Sequence, residues 1–61
     1  LRGDVARVLA ELTTEQRAIL ILRDLEGLSE DEAAAELNLA RGTIKSRLHR
    51  ARDAFRKRWT A

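Results

Sequence analysis

Apolar residues recur along this chain at helical spacing. Val5, Val8, Leu9 and Leu12 fall at i, i+3, i+4 and i+7, one stripe of an amphipathic helix over residues 3–12. Thr13, with Gln16 three residues on, forms a capping box that starts a second helix. That helix holds Ala18, Ile19, Leu20, Ile21, Leu22 and Leu25, so it is apolar on more than one side. It is expected to lie centrally, or to share its outer side with a partner. Gly27 stands where a helix end favours a left-handed residue. Ser29 and Glu32 make a second capping box, and the acids of "SEDE" suit the positive end of a helix dipole. The third helix is expected to end near Leu37. Asn38 then supplies the positive φ of a tight turn, being the best non-glycine residue for it. A fourth helix is expected over 41–58. Ile44, Leu48, Ala51 and Phe55 share its apolar face, with Trp59 at the edge.

A short helix, a left-handed turn and a long helix make a helix-turn-helix, whose second helix enters the DNA major groove. The expected fold is therefore all-α: a small four-helix domain containing a helix-turn-helix with a long C-terminal recognition helix. Leu9, Leu22, Leu37, Ile44, Leu48 and Phe55 are the expected core, and small Ala34 marks the close approach of the last two helices. The stripe on the first helix and the "AILIL" run exceed what one small core needs, which predicts a protein-docking surface there.

Charge gives the fourth helix a partner. Residues 1–39 carry four Arg against nine acids, a net of −5, whereas residues 40–61 carry eight Lys or Arg against Asp53 alone, a net of +7. The total of +2 conceals this division, which points to a polyanion as partner for the basic part. Opposite the apolar stripe lie Ser46, His49 and Arg50, with Lys45 on their flank; these four make the outward face of the first two turns, the part of the helix that reads base edges. Asp53 would repel phosphate, so base reading is expected to stop before it.

Composition excludes other classes. Sixty-one residues make one domain, 1–61, and the start at Leu1 suggests a piece of a longer chain. There is no cysteine, and a single His cannot build a metal site, so no metal or cofactor is expected. No nucleophile–base pair is evident, so no catalytic residue is expected. No apolar run reaches the length of a membrane span.

Residues 12–52, "LTTEQRAILILRDLEGLSEDEAAAELNLARGTIKSRLHRAR", closely resemble region four of bacterial sigma factors of the extracytoplasmic-function (ECF) group. "GTIKSRLHRAR" and "LRDLEGLS" carry the resemblance. It implies a cytoplasmic domain that recognises the −35 promoter element and docks on the β flap of RNA polymerase. An anti-sigma protein or the sigma factor's own upstream domain would be further partners. Carried over residue by residue, Lys45, Ser46, His49 and Arg50 match positions that reach bases. Arg23, Arg41, Thr43, Arg47 and Arg52 match positions that reach phosphates. Thr13 and Ala40 depart from residues frequent in the family, and Ala40 is a poor N-cap for the recognition helix. Two other readings fit parts of the pattern. A LuxR-type response-regulator output domain shares "GLS" and the turn but lacks the "SRLHRAR" continuation. A helical protein-interaction module would use the apolar second helix and not read DNA.

Overall fold

Two hydroxyl side chains set where the middle helices begin. Thr13 is extended, and its Oγ1 accepts from the Gln16 N–H at 3.1 Å while Gln16 Oε1 accepts from the Thr13 N–H at 3.2 Å. Ser29 and Glu32 repeat the exchange at 3.0 and 2.8 Å. Each box satisfies backbone donors that a helix start leaves free. In the computed structural model, which describes residues 3–60, the helices are α1 (Gly3–Glu11), α2 (Thr14–Leu20), α3 (Glu30–Leu37) and α4 (Arg41–Thr60). No strand occurs among the described residues, and none of their helices is long and apolar enough to cross a membrane.

Left-handed residues make the turns on either side of α3. Asn38 has φ 55° and ψ 47°, the one non-glycine positive φ among the described residues. The Leu39 N–H reaches the Ala34 carbonyl at 2.9 Å, and the Asn38 N–H reaches Ala35 at 3.3 Å, the paired bonds of a Schellman motif. Gly27, at φ 76°, turns the chain before α3. Ahead of it the structure departs from the uniform second helix expected. Ile21–Leu25 widens into a π-helical turn, with the Glu26 N–H on the Ile21 carbonyl and the Leu28 N–H on Leu22, both at 2.9 Å. In this turn Leu25 is 49% exposed.

The core forms around α4. Val8, Leu9, Leu12, Ile19, Leu20, Ala33, Ile44, Leu48 and Ala51 are buried. The α4 helix packs on α2, α3 and α1, most extensively on α2. Its twenty residues, about 30 Å at 1.5 Å per residue, account for the 31 Å long axis of the molecule. Three corrections to the expected core follow. Leu22, Leu37 and Phe55 are only half-buried, at the core's margin. Ala33, not Ala34, is fully enclosed between the helices, while Ala34 packs at the edge. And the α1 stripe is less of a surplus than expected: Val8, Leu9 and Leu12 are buried in the core, because a core this small recruits most of the apolar surface it has.

Truncating Leu48 to Ala is expected to cost about 2–5 kcal/mol in urea unfolding followed by circular dichroism. That would be much of the stability of so small a domain. A parent-like melt would show that the core does not centre on α4. At the turn, Asn38→Gly is expected to be tolerated, whereas Asn38→Val is expected to lose about 1–2 kcal/mol to left-handed strain. Equal stability of the two variants would count against the turn's role.

Candidate nucleic-acid interface

With Ile44, Leu48 and Ala51 inward, α4 turns Lys45, Ser46, His49 and Arg50 outward, and all four are exposed. The structure thus brings the four base-edge candidates together on two successive turns. The Ser46 hydroxyl donates to the Thr43 carbonyl at 3.1 Å, one turn back, and so keeps its lone pairs as acceptors. Thr43 is half-buried beside it, its N–H on the Ala40 carbonyl at 3.0 Å.

The cations matched to phosphate positions behave differently. The Arg41 Nε lies 3.3 Å from Glu30 Oε1 and 3.5 Å from Asp31 Oδ1. Arg47 Nη1 donates to Glu15 Oε2 at 3.1 Å. Arg52 makes a bidentate pair with Asp24, Nε to Oδ2 at 3.0 Å and Nη2 to Oδ1. Arg23 turns into its own loop: Nη1 donates to the Leu28 carbonyl, and the buried Nε has no hydrogen-bond partner. Its guanidinium braces the chain around Gly27.

Across α4 this leaves an uneven supply of charge. Asp53 takes Arg56 at 2.9 Å and Lys57 at 3.2 Å, and Arg58 lies 3.9 Å from Glu11. Six of the eight cations of residues 40–61 therefore have a carboxylate within 4.0 Å. Lys45 and Arg50 have none among the described residues. The acid that interrupts the basic stretch is held by its own helix. Hydrogen bonds from Arg56 and then Lys57 lower the Asp53 pKa below its ordinary value. Asp24 is lowered too, first by the hydrogen bond from Arg52 and further by the charges of Arg52 and Arg23, against a partial offset from burial.

Sequence reading missed the acids that hold these cations. Glu30 and Asp31 registered only as helix-start residues, and Glu15 and Asp24 were given no role. The separation of charge between the two halves was the available signal, but it names no pairs. A second feature draws on the α1 stripe and the "AILIL" run, where a docking surface was expected, and extends beyond them to Leu25 and Phe55. An apolar groove of about 280 Å³ runs between α1, the π-helical turn and α4, lined by Val5, Leu9, Leu20, Leu25 and Phe55 with Asp24 and Arg52 at its side. Beyond it Trp59, 42% exposed, stacks on Phe55 with ring centroids 5.8 Å apart.

This is a small all-α domain built on a helix-turn-helix, with a cationic outward face on its long last helix. The family model "Sigma-70, region 4" matches residues 2–55, and the chain belongs to that family. It is similar to the probable RNA polymerase sigma-C factor of Mycobacterium bovis, 51% identical over 85% of this chain and 28% of that protein. It is also similar to the ECF RNA polymerase sigma factor SigE of Mycolicibacterium smegmatis, 43% identical over 92% of this chain and 22% of that protein. The RNA polymerase sigma-E factor of Streptomyces coelicolor is 43% identical over 95% of this chain and 31% of its own length. The chain thus spans less than a third of each of these relatives. No solved structure matches it.

The Asp24–Arg52 pair makes stability depend on pH in a definite direction. A carboxyl group whose folded pKa is depressed stabilises the fold above its unfolded value, and that contribution is lost as pH falls through the folded value. Asp24→Asn is therefore expected to be less stable than the parent at pH 7. The gap should shrink below about pH 4, where the unfolded carboxyl begins to protonate, and should close in stronger acid. Urea unfolding of both proteins from pH 7 to pH 2 checks this. A gap that stays constant would mean that the ionised pair contributes nothing.

Proposed function

We propose that this domain recognises the −35 promoter element as part of a sigma factor, with α4 in the major groove. One observation carries the reading: Lys45 and Arg50, two of the four base-edge candidates, are the cations of residues 40–61 without a carboxylate partner among the described residues. A guanidinium or ammonium group left free on an exposed helix face can meet guanine O6 and N7. Ser46 and His49 complete the face as short-range donors or acceptors. Arg41, Thr43, Arg47 and Arg52 flank it and approach phosphates, which fixes register but carries no sequence information. Arg23 contributes by holding the turn that precedes α3. Bacterial RNA polymerase is the second partner, met through its β flap at the apolar groove beside Leu25 and Phe55. An anti-sigma protein or the upstream domain of the same sigma factor would compete for that groove. The work is binding, with no catalysis, and its place is the cytoplasm, where promoter DNA lies.

Fluorescence anisotropy against the best duplex selected from a randomised pool, and against its scrambled counterpart, tests the reading at several salt concentrations. Arg50→Ala is expected to lose about 1–3 kcal/mol on the selected duplex and flatten the discrimination. Arg41→Ala is expected to weaken both duplexes alike and reduce the salt slope by up to about one. A pool that yields no preferred sequence would favour a module that binds only proteins. Loss of discrimination through Arg41 but not Arg50 would turn the recognition helix by about half a turn.

A further inference from the structure

We infer that carboxylates of the N-terminal half act as internal competitors for the DNA backbone, occupying the phosphate-facing cations of α4 and depressing affinity for any duplex regardless of sequence. The inference rests on the DNA-binding reading above. It starts from a partition on one helix. Arg41, Arg47 and Arg52 are each held by an acid from a different element: the start of α3, the start of α2 and the π-helical turn. Lys45 and Arg50, between them in sequence and facing outward, are not held.

The pairs are suited to exchange. A carboxylate and a phosphate offer the same planar guanidinium the same kind of paired oxygen acceptors. Each of the three arginines keeps part of its side chain open to solvent, 66% for Arg41, 37% for Arg47 and 53% for Arg52, so a phosphate can approach without unfolding anything. Exposed pairs of this kind add little to stability. Their larger effect falls on binding, because a phosphate gains an arginine only as an acid loses it. The freed acid then stands close to DNA of the same sign. Base-edge contacts carry no such cost, since Lys45 and Arg50 are free beforehand. Backbone contacts supply the sequence-independent affinity. The acids therefore weaken binding to every duplex alike without touching the base reading, a repulsive element built into the domain.

The test uses isosteric amides, Glu15→Gln for Arg47 and the double change Glu30→Gln, Asp31→Asn for Arg41, leaving Asp24 in place because its bidentate pair with Arg52 also bears on stability. Glu36→Gln is the control, an exposed acid of α3 with no ion pair among the described residues. Circular dichroism confirms that each variant folds. Glu15→Gln is expected to raise affinity for the selected and the scrambled duplex about two- to five-fold at low salt. Their ratio should not change, and the salt dependence should steepen by up to about 0.9 in slope for each cation released. The double variant should do the same. Glu36→Gln should have a smaller effect on both duplexes. An equal gain from Glu36→Gln would reduce the effect to net charge and overturn the inference. So would unchanged affinity in the paired-acid variants while the parent still discriminates between duplexes, or a change in the ratio. If the parent itself binds neither duplex, the DNA reading falls first and this inference with it.

Discussion

The burial of Ile44, Leu48 and Ala51 is the constraint on which the rest of the molecule depends. These three side chains lie on one stripe of α4, and residues from α1, α2 and α3 close over them. The recognition helix is therefore not an appendage on a scaffold. It is the structural member against which the other helices fold. Its outward face is fixed as a consequence: once the stripe is inward, Lys45, Ser46, His49 and Arg50 point to solvent. A rotation of α4 that altered that face would pull the stripe from the core. In a domain this short, with little apolar area in reserve, such a rotation is equivalent to unfolding.

Local chemistry was legible in the sequence wherever one or two residues decide a conformation. Thr13 with Gln16 and Ser29 with Glu32 announce their capping boxes. Gly27 and Asn38 announce their left-handed turns, because few other residues adopt them. The outward set on α4 followed from helical period alone. The π-helical turn at Ile21–Leu25 was not legible, since an i to i−5 bond leaves no mark on residue type, and an apolar run there fits either winding. Burial depth at Leu22, Leu37 and Phe55 was not legible either. Period tells which face a residue occupies but not how far the neighbouring helix extends over it. The α1 stripe was misjudged for a related reason: apolar surplus can only be assessed against the finished core. Cross-element ion pairs such as Arg47–Glu15 and Arg52–Asp24 join residues 32 and 28 apart in sequence, a distance at which no spacing rule operates.

Three of the paired acids nevertheless have a local origin. Glu15 and Glu30 stand in the first turns of α2 and α3, as does Asp31, where the helix dipole favours negative charge. The same positions bring them to α4, because both helices begin beside it. The choice of acids that helps these short helices start therefore also determines which arginines of the recognition helix are occupied. On the reading proposed above, stability of the free domain and restraint of its DNA affinity would come from one placement of charge.

That placement explains why a net charge of +2 is a poor guide to this surface. Counted as a stretch, residues 40–61 carry a net of +7. Counted by partner, most of that charge is already answered: Arg41, Arg47 and Arg52 by other elements, Arg56 and Lys57 by Asp53, and Arg58 more loosely by Glu11. What remains open on α4 is two cations about a turn and a half apart, with Ser46 and His49 between them. A uniform basic helix would attract any polyanion. A helix whose free cations are confined to one narrow face attracts a polyanion usefully only when that face lies against base edges. On the proposed DNA reading, the sequence-independent part of the attraction is then limited by the protein's own acids rather than by a shortage of arginine.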